Sequence, residues 1–192
     1  MIRNVYQIGM LLVTLFVVNL IVSYSQTPPP PPPPLIWKAP DSNEIKKYPN
    51  NTHRFSVEFA GEIEVSENGG VLSHYVAKRA GSLSYVRVIH FTEEDLKKVS
   101  NEAILQEVKD TYSTTDGYKI VGEVKAEPKS IEFSASNKYK FRRIRAMLAS
   151  GKLYELYIDV TNWHILQDYH KDKVEAFNFE ANRFFSSFKL LK

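Results

Sequence analysis

Apolar and polar residues first alternate in register at "HRFSVEFAGEIEV", where Phe55, Val57 and Phe59 fall on one side of an extended chain. Ala60-Gly61 permits a break before Ile63 and Val65 take up the pattern again. Asn68-Gly69 sits between two alternating runs, which is the composition of a tight hairpin turn. In "SLSYVRVIHF" the period of two places Leu83, Tyr85, Arg87 and Ile89 on one face and Ser84, Val86, Val88 and His90 on the other. After Phe91 the period lengthens. Leu96, Val99, Ile104, Val108 and Tyr112 approximate one face of an amphipathic helical region, opened by the capping pair Thr92 and Asp95 and closed by Asp116-Gly117. Further strands are predicted at "YKIVGEVKA", "SIEFSA", "KYKFRRIRAMLA" and "KLYELYIDV", the last two joined through Ser150-Gly151. Val174, Phe177, Ala181, Phe184 and Phe188 then recur at spacings of three and four, as in a helix that lays an aromatic face on the sheet. The sum is an α+β fold: an antiparallel sheet of about six to seven strands packed with two helices, including a C-terminal amphipathic helix.

The first 52 residues obey neither period. No charged residue lies between Arg3 and Lys38, and Ile8 to Val22 is almost wholly apolar. A positive residue, an apolar run and small residues at Ser23 and Ser25 together describe a signal peptide over residues 1–25, cleaved between Ser25 and Gln26. The alternative is an uncleaved transmembrane anchor, because residues 5–22 reach the lower end of a membrane-spanning length, although Asn19 weakens that reading. Either way the rest of the chain is expected outside the cytoplasm, periplasmic or secreted, with membrane contact only through residues 5–22 if they are retained. Pro28 to Pro34 favour a polyproline II rod of about 22 Å, read as a spacer, with a ligand for an aromatic-lined groove anchored by "LIW" as its rival. The polar stretch "KAPDSNEIKKYPNNT" completes a proline-rich linker over 26–52 with little structure of its own, ahead of a single domain over 53–192. Asn50-Asn51-Thr52 is a glycosylation sequon that a turn explains equally well.

Composition narrows the chemistry. The chain lacks cysteine, which removes disulfides, thiolate metal sites and a cysteine nucleophile together. Its net charge of +3 comes from interspersed signs and implies neither a nucleic-acid nor an anionic-lipid partner. No phosphate-binding glycine loop, dinucleotide fingerprint or nucleophile elbow occurs. The remaining cluster, "NWHILQDYHKD", offers His164, Asp168, His170 and Asp172 as nitrogen and oxygen donors for a divalent metal or for general acid/base work. Its spacing matches no ligand rule. A loop before the last helix accounts for it, with Asp172 as N-cap and Glu175 completing a capping box.

Arg143 and Arg145 share a strand face with Phe141 and Met147. They are expected either to pair with Glu155 and Asp159 on the hairpin partner or to contact an acidic partner or headgroup. Nucleic acid is not expected there. His53, His74 and His90 read as edge or surface residues. Trp163, just past a strand, is either a half-exposed member of a contact patch or a lid on the core.

The opening "FSVEFAGE", the late "KLYELYIDV" and the closing "ANRFFSSFKL" resemble exported α/β domains of the PsbP-like type, over about Phe55 to Leu190. Phe59-Ala60 departs from that pattern, where a proline is common. The resemblance implies a non-enzymatic domain that docks on a larger assembly at a membrane surface, and it transfers no binding residue. The expectation is thus an exported, cofactor-free, non-catalytic binding or assembly module at the cell envelope with a protein partner. Its contact residues are Trp163, Tyr169, Arg143 and Arg145. The alternative is a metal-assisted or general acid/base enzyme centred on His164 and His170 with Asp168.

Overall fold

The computed structural model describes residues 37–68, 70–169 and 171–192. The signal peptide or anchor and the proline run lie outside the described residues. The elements are β1 (Ile45–Asn50), β2 (Phe55–Ala60), β3 (Ile63–Asn68), β4 (Leu72–Arg79), β5 (Ser82–His90), α1 (Glu93–Lys98), α2 (Asn101–Thr114) and β6 (Lys119–Glu127). There follow β7 (Ser130–Ser136), β8 (Lys140–Ala149), β9 (Lys152–Thr161), α3 (Trp163–Tyr169), α4 (Lys171–Ser187) and β10 (Lys189–Leu190). Seven strands make one sheet in the order β3-β4-β5-β9-β8-β7-β6, and a smaller sheet runs β1-β2-β10. Neighbouring strands are antiparallel, so the fold is α+β as the alternation predicts.

The large sheet is covered on both faces. On one, Phe55, Val57 and Phe59 of β2 and Phe177, Phe184 and Phe185 of α4 meet Val86 and Val88 of β5 and Leu156, Ile158 and Val160 of β9. On the other, Leu105, Val108 and Tyr112 are the buried face of α2, which packs on β6, β7 and β8. Burying aromatic and branched side chains on both sides supplies the dominant favourable term, about 1.5–3 kcal/mol for each large apolar side chain. The alternation in β5 falls as expected, with Val86 and Val88 toward the small sheet and Tyr85 and Arg87 toward α2.

Three local readings are corrected, and the alternative left open at Asn50 is decided. The stretch 38–52 is not structureless: a 3-10 turn at Ser42–Glu44 leads into β1, which pairs with β2 from Ile45↔Ala60 to Asn50↔Phe55. Tyr48 packs among Phe55, Phe59 and Tyr75, while exposed lysines and Pro49 give this edge strand the composition of a linker. Trp37 meets Phe177 edge-on at 5.8 Å inside the core, so this part of "LIW" is used internally. Asn50 is buried with Oδ1 accepting from the His53 backbone N–H at 2.7 Å, so the sequon is a turn. Finally, the helical region after Phe91 is two helices. Val99 is extended, and Ser100 caps α2 by accepting from the Ala103 N–H at 3.2 Å.

Gly61 is where the chain leaves the small sheet for the large one. Its φ is +103°, and a β-carbon there would lie 3.2 Å from both the Arg79 side chain and the Lys78 carbonyl oxygen. The positive φ favours glycine at this crossing, and the close Lys78 carbonyl adds to that preference.

Candidate functional site

The segment read as a loop, "NWHILQDY", is largely helix α3. Trp163 is 8% exposed: its ring stacks on Phe141 at 4.2 Å and 17°, and meets Phe177 at 5.8 Å. It is therefore a lid on the core, and the half-exposed alternative is corrected. His164 and Asp168, four residues apart, are both exposed on α3. The Tyr169 side chain and His170 lie outside what is described. Asp172 stands in the first turn of α4 rather than at its N-cap. Among the described residues, no group of three or more His, Cys, Asp or Glu side chains is arranged to hold a metal ion.

The arginine strand is resolved by register. Ala149↔Lys152 across the β8–β9 turn sets Arg142 opposite Asp159, and Arg143 and Arg145 opposite Ile158 and Leu156. The expected pairing of Arg143 and Arg145 with Glu155 and Asp159 is therefore wrong, because those acids point to the other face. Both arginines instead reach Glu132 on β7, Arg143 Nη2 at 2.9 Å and Arg145 Nη2 at 2.6 Å. Arg143 also donates to Asn182 Oδ1 at 2.8 Å, and Arg145 to the Phe185 carbonyl at 3.2 Å, so the pair ties β8 to α4. Their guanidiniums lie 5.5 and 5.0 Å from the Phe185 ring centre, within cation–π range.

Burial alone would raise the Glu132 carboxyl, but hydrogen bonds and charge from Arg145 and then Arg143 outweigh it and hold the group below its ordinary 4.5. Glu132→Gln is expected to cost about 1–3 kcal/mol at neutral pH, between the exposed and the fully buried ion-pair cases. Because the folded value is depressed, this contribution is present above pH 4.5 and lost as pH falls through the folded value. Urea denaturation of both proteins across that range should show the gap closing in acid.

Against α2 lies a buried layer of charge. Arg87 Nε donates to Glu155 Oε2 at 2.9 Å, and the Tyr112 hydroxyl donates to the same oxygen at 3.3 Å. Arg142 Nη2 donates to Asp159 Oδ2 at 2.9 Å, its guanidinium 4.2 Å from the Tyr157 ring centre and 5.0 Å from that of Tyr118. Burial would lower the Arg87 guanidinium, but Glu155 overcomes it, and the group is held charged. Burial pushes the Tyr157 hydroxyl up to about 12. Such groups do not exchange protons near neutrality, so this layer fixes geometry rather than moving protons.

One cluster escaped the sequence. His53, in the β1–β2 turn, is 3% exposed, with Nε2 2.9 Å from Ser73 Oγ on β4 and Nδ1 2.9 Å from His90 Nε2 on β5. His53 was expected at a surface or edge. It is buried because Tyr154 donates its hydroxyl to the His53 carbonyl at 2.8 Å and draws the turn onto the sheet. Ser73 is fully buried, so the serine is closed to a substrate, and the two rings are joined by one hydrogen bond. The three residues share no local spacing, but the alternation that puts His90 on the face of Val86 and Val88 was a usable signal.

Tyr139, in the β7–β8 turn, is an exposed aromatic beside the start of α3. It is 57% exposed, and its carbonyl accepts from the Trp163 N–H at 3.4 Å. Asn137 Oδ1 accepts from the Tyr139 and Lys140 N–H groups at 2.9 and 2.8 Å, which holds the turn.

No protein-family model matches the chain, and no curated protein sequence matches it. Among solved structures it is similar to the Ran-binding protein Mog1p of Saccharomyces cerevisiae, with a TM-score of 0.48 and 9% identity over 77% of this chain and 96% of that one. It is also similar to the cyanobacterial PsbP (CyanoP) of Synechocystis sp. PCC 6803, with a TM-score of 0.46 and 12% identity over 77% of this chain and 92% of that one. These are likenesses of fold, and they transfer no residue or partner.

Proposed function

We propose that the chain is an exported, non-catalytic binding or assembly module of the cell envelope, and that it meets a protein partner through the end where the β7–β8 turn adjoins α3. Export rests on the leader-like composition of residues 1–25. The contact is carried by Tyr139, an exposed aromatic on a turn held by Asn137 and tied through its carbonyl to the Trp163 N–H. Tyrosine presents a large amphipathic surface at low entropic cost, the property that enriches it in interfaces. Lys138 beside it and His164, Gln167 and Asp168 on α3 supply an exposed polar rim. Of the contact residues expected from sequence, Trp163 supports this surface from beneath, and Arg143 and Arg145 brace α4 behind it.

A photo-crosslinking residue in place of Tyr139, in the full-length protein within its own envelope fraction, is expected to give one dominant adduct. The same residue in place of Phe179, 73% exposed on α4, serves as the comparison. An adduct from position 179 alone overturns the assignment. Stoichiometric metal that disappears in His164→Ala would overturn the non-catalytic reading itself.

A further inference from the structure

Within the β1–β2 turn, both ring nitrogens of His53 are committed, one to Ser73 and one to His90, each at 2.9 Å. The bond between the rings requires a donor N–H facing a lone pair. One added proton still leaves such an arrangement. A second sets two N–H groups and two positive charges against each other at hydrogen-bond distance, where low dielectric magnifies the repulsion.

The surroundings favour the uncharged pair. Lys152 on β9 lowers both histidines through its charge, and Arg54 in the turn acts on Lys152 in the same sense. Glu67 on β3 is the opposing carboxylate, 3.9 Å from His53 Nε2 but more than half exposed. Tyr75 on β4 presents its ring edge at 6.0 Å, and the Tyr154 hydroxyl on β9 is spent on the His53 carbonyl. What the turn holds is the end of a layer. The Leu191 N–H donates to the Arg54 carbonyl at 2.8 Å, and behind the turn Phe55 stacks on Phe188 at 5.6 Å.

We propose that His53, Ser73 and His90 form an acid-sensitive latch, which fastens the β1–β2 turn and the C-terminal tail to the large sheet near neutrality and releases them on acidification. Burial first, then His90 and Lys152 for His53 and Lys152 alone for His90, hold both rings below their ordinary 6.5. The fastened state therefore binds fewer protons than the released one. Its stabilisation is complete above 6.5 and is lost as pH falls through the fastened-state values. The released state exposes Phe55, Tyr154 and Phe188, an aromatic surface that is covered at neutral pH.

Hydrogen exchange on the full chain at about pH 7.5 and about pH 5, corrected for intrinsic rates, tests this. Protection of the His53 and Leu191 amides should fall by about tenfold or more, while Val86 and Leu156 keep theirs. His90→Gln retains an amide able to bond His53 Nδ1 but cannot take up a proton, and should clearly diminish the change, because only His53 then remains to titrate. In the unmodified chain, the two imidazoles should titrate as a coupled pair below 6.5. His74 lies on the opposite sheet face, and burial and Arg87 take it down to about 4, beneath this window. Equal loss of protection in β5 and β9, undiminished loss in His90→Gln, or either ring titrating at or above 6.5 would overturn the latch.

Discussion

Replacing Glu155 with glutamine is expected to cost about 3–5 kcal/mol, because it leaves the Arg87 guanidinium charged, buried and without its counter-ion. Glu155 is 1% exposed, and it receives donors from a neighbouring strand and from α2, through Arg87 and Tyr112. Its loss therefore leaves a largely buried charge without its counter-ion and loosens α2 over the sheet. The companion experiment removes both partners. Arg87→Met with Glu155→Leu fills similar volume without charge and should recover most of the stability, since the favourable Coulomb term of a buried pair largely repays its own desolvation. Equilibrium urea unfolding of the single and double variants reads both results. A loss below about 1 kcal/mol in Glu155→Gln would mean that water reaches the layer and the pair behaves as an exposed one.

Trp163→Ala is expected to cost a similar amount, about 3–5 kcal/mol, the range for deleting a buried aromatic. The indole stacks on Phe141 and abuts Phe177, so its removal leaves a cavity between β8, α3 and α4 that a rigid sheet cannot close. A half-exposed tryptophan in a contact patch would lose far less stability and would instead lose a partner. Thermal and urea denaturation distinguish the two, and the paired measurement is emission. The chain has two tryptophans, both buried, so the native spectrum should be blue-shifted and should keep only the Trp37 contribution in the variant.

Strands β2 through β9 were legible from sequence. In β7 and in the second half of β8 apolar side chains are buried at alternate positions, and that amplitude is what the period detects. β1 was illegible because "IKKYPN" buries little besides Tyr48 and Asn50, and its Pro49 reads as punctuation. α3 was illegible because it is short and begins directly after a strand, where Asn162 takes φ 57°. The arginine pairing was missed although the information was present. A two-residue turn at Ser150-Gly151 forces Ala149 opposite Lys152, and counting back from there puts Arg142, not Arg143, opposite Asp159. The histidine cluster is different in kind. His53, Ser73 and His90 come from a turn and two strands, and only the docking of the small sheet on the large one makes them neighbours.

Strand β10 pairs with β2 at Phe55 and Ser56, so segments from opposite ends of the domain lie side by side. A ribosome delivers the chain from its N-terminus. The hairpins from β3 to β5 and from β6 to β9 can form as they emerge, because their partners are local in sequence. The cover over the aromatic face of β2 is complete only when α4 and β10 arrive, and partly covered apolar surface of this kind is prone to aggregate in the interval. A chain stopped short of Phe184 would lack the α4 part of the cover over Phe55, Val57 and Phe59, so such a truncated domain is expected to be more open to proteolysis.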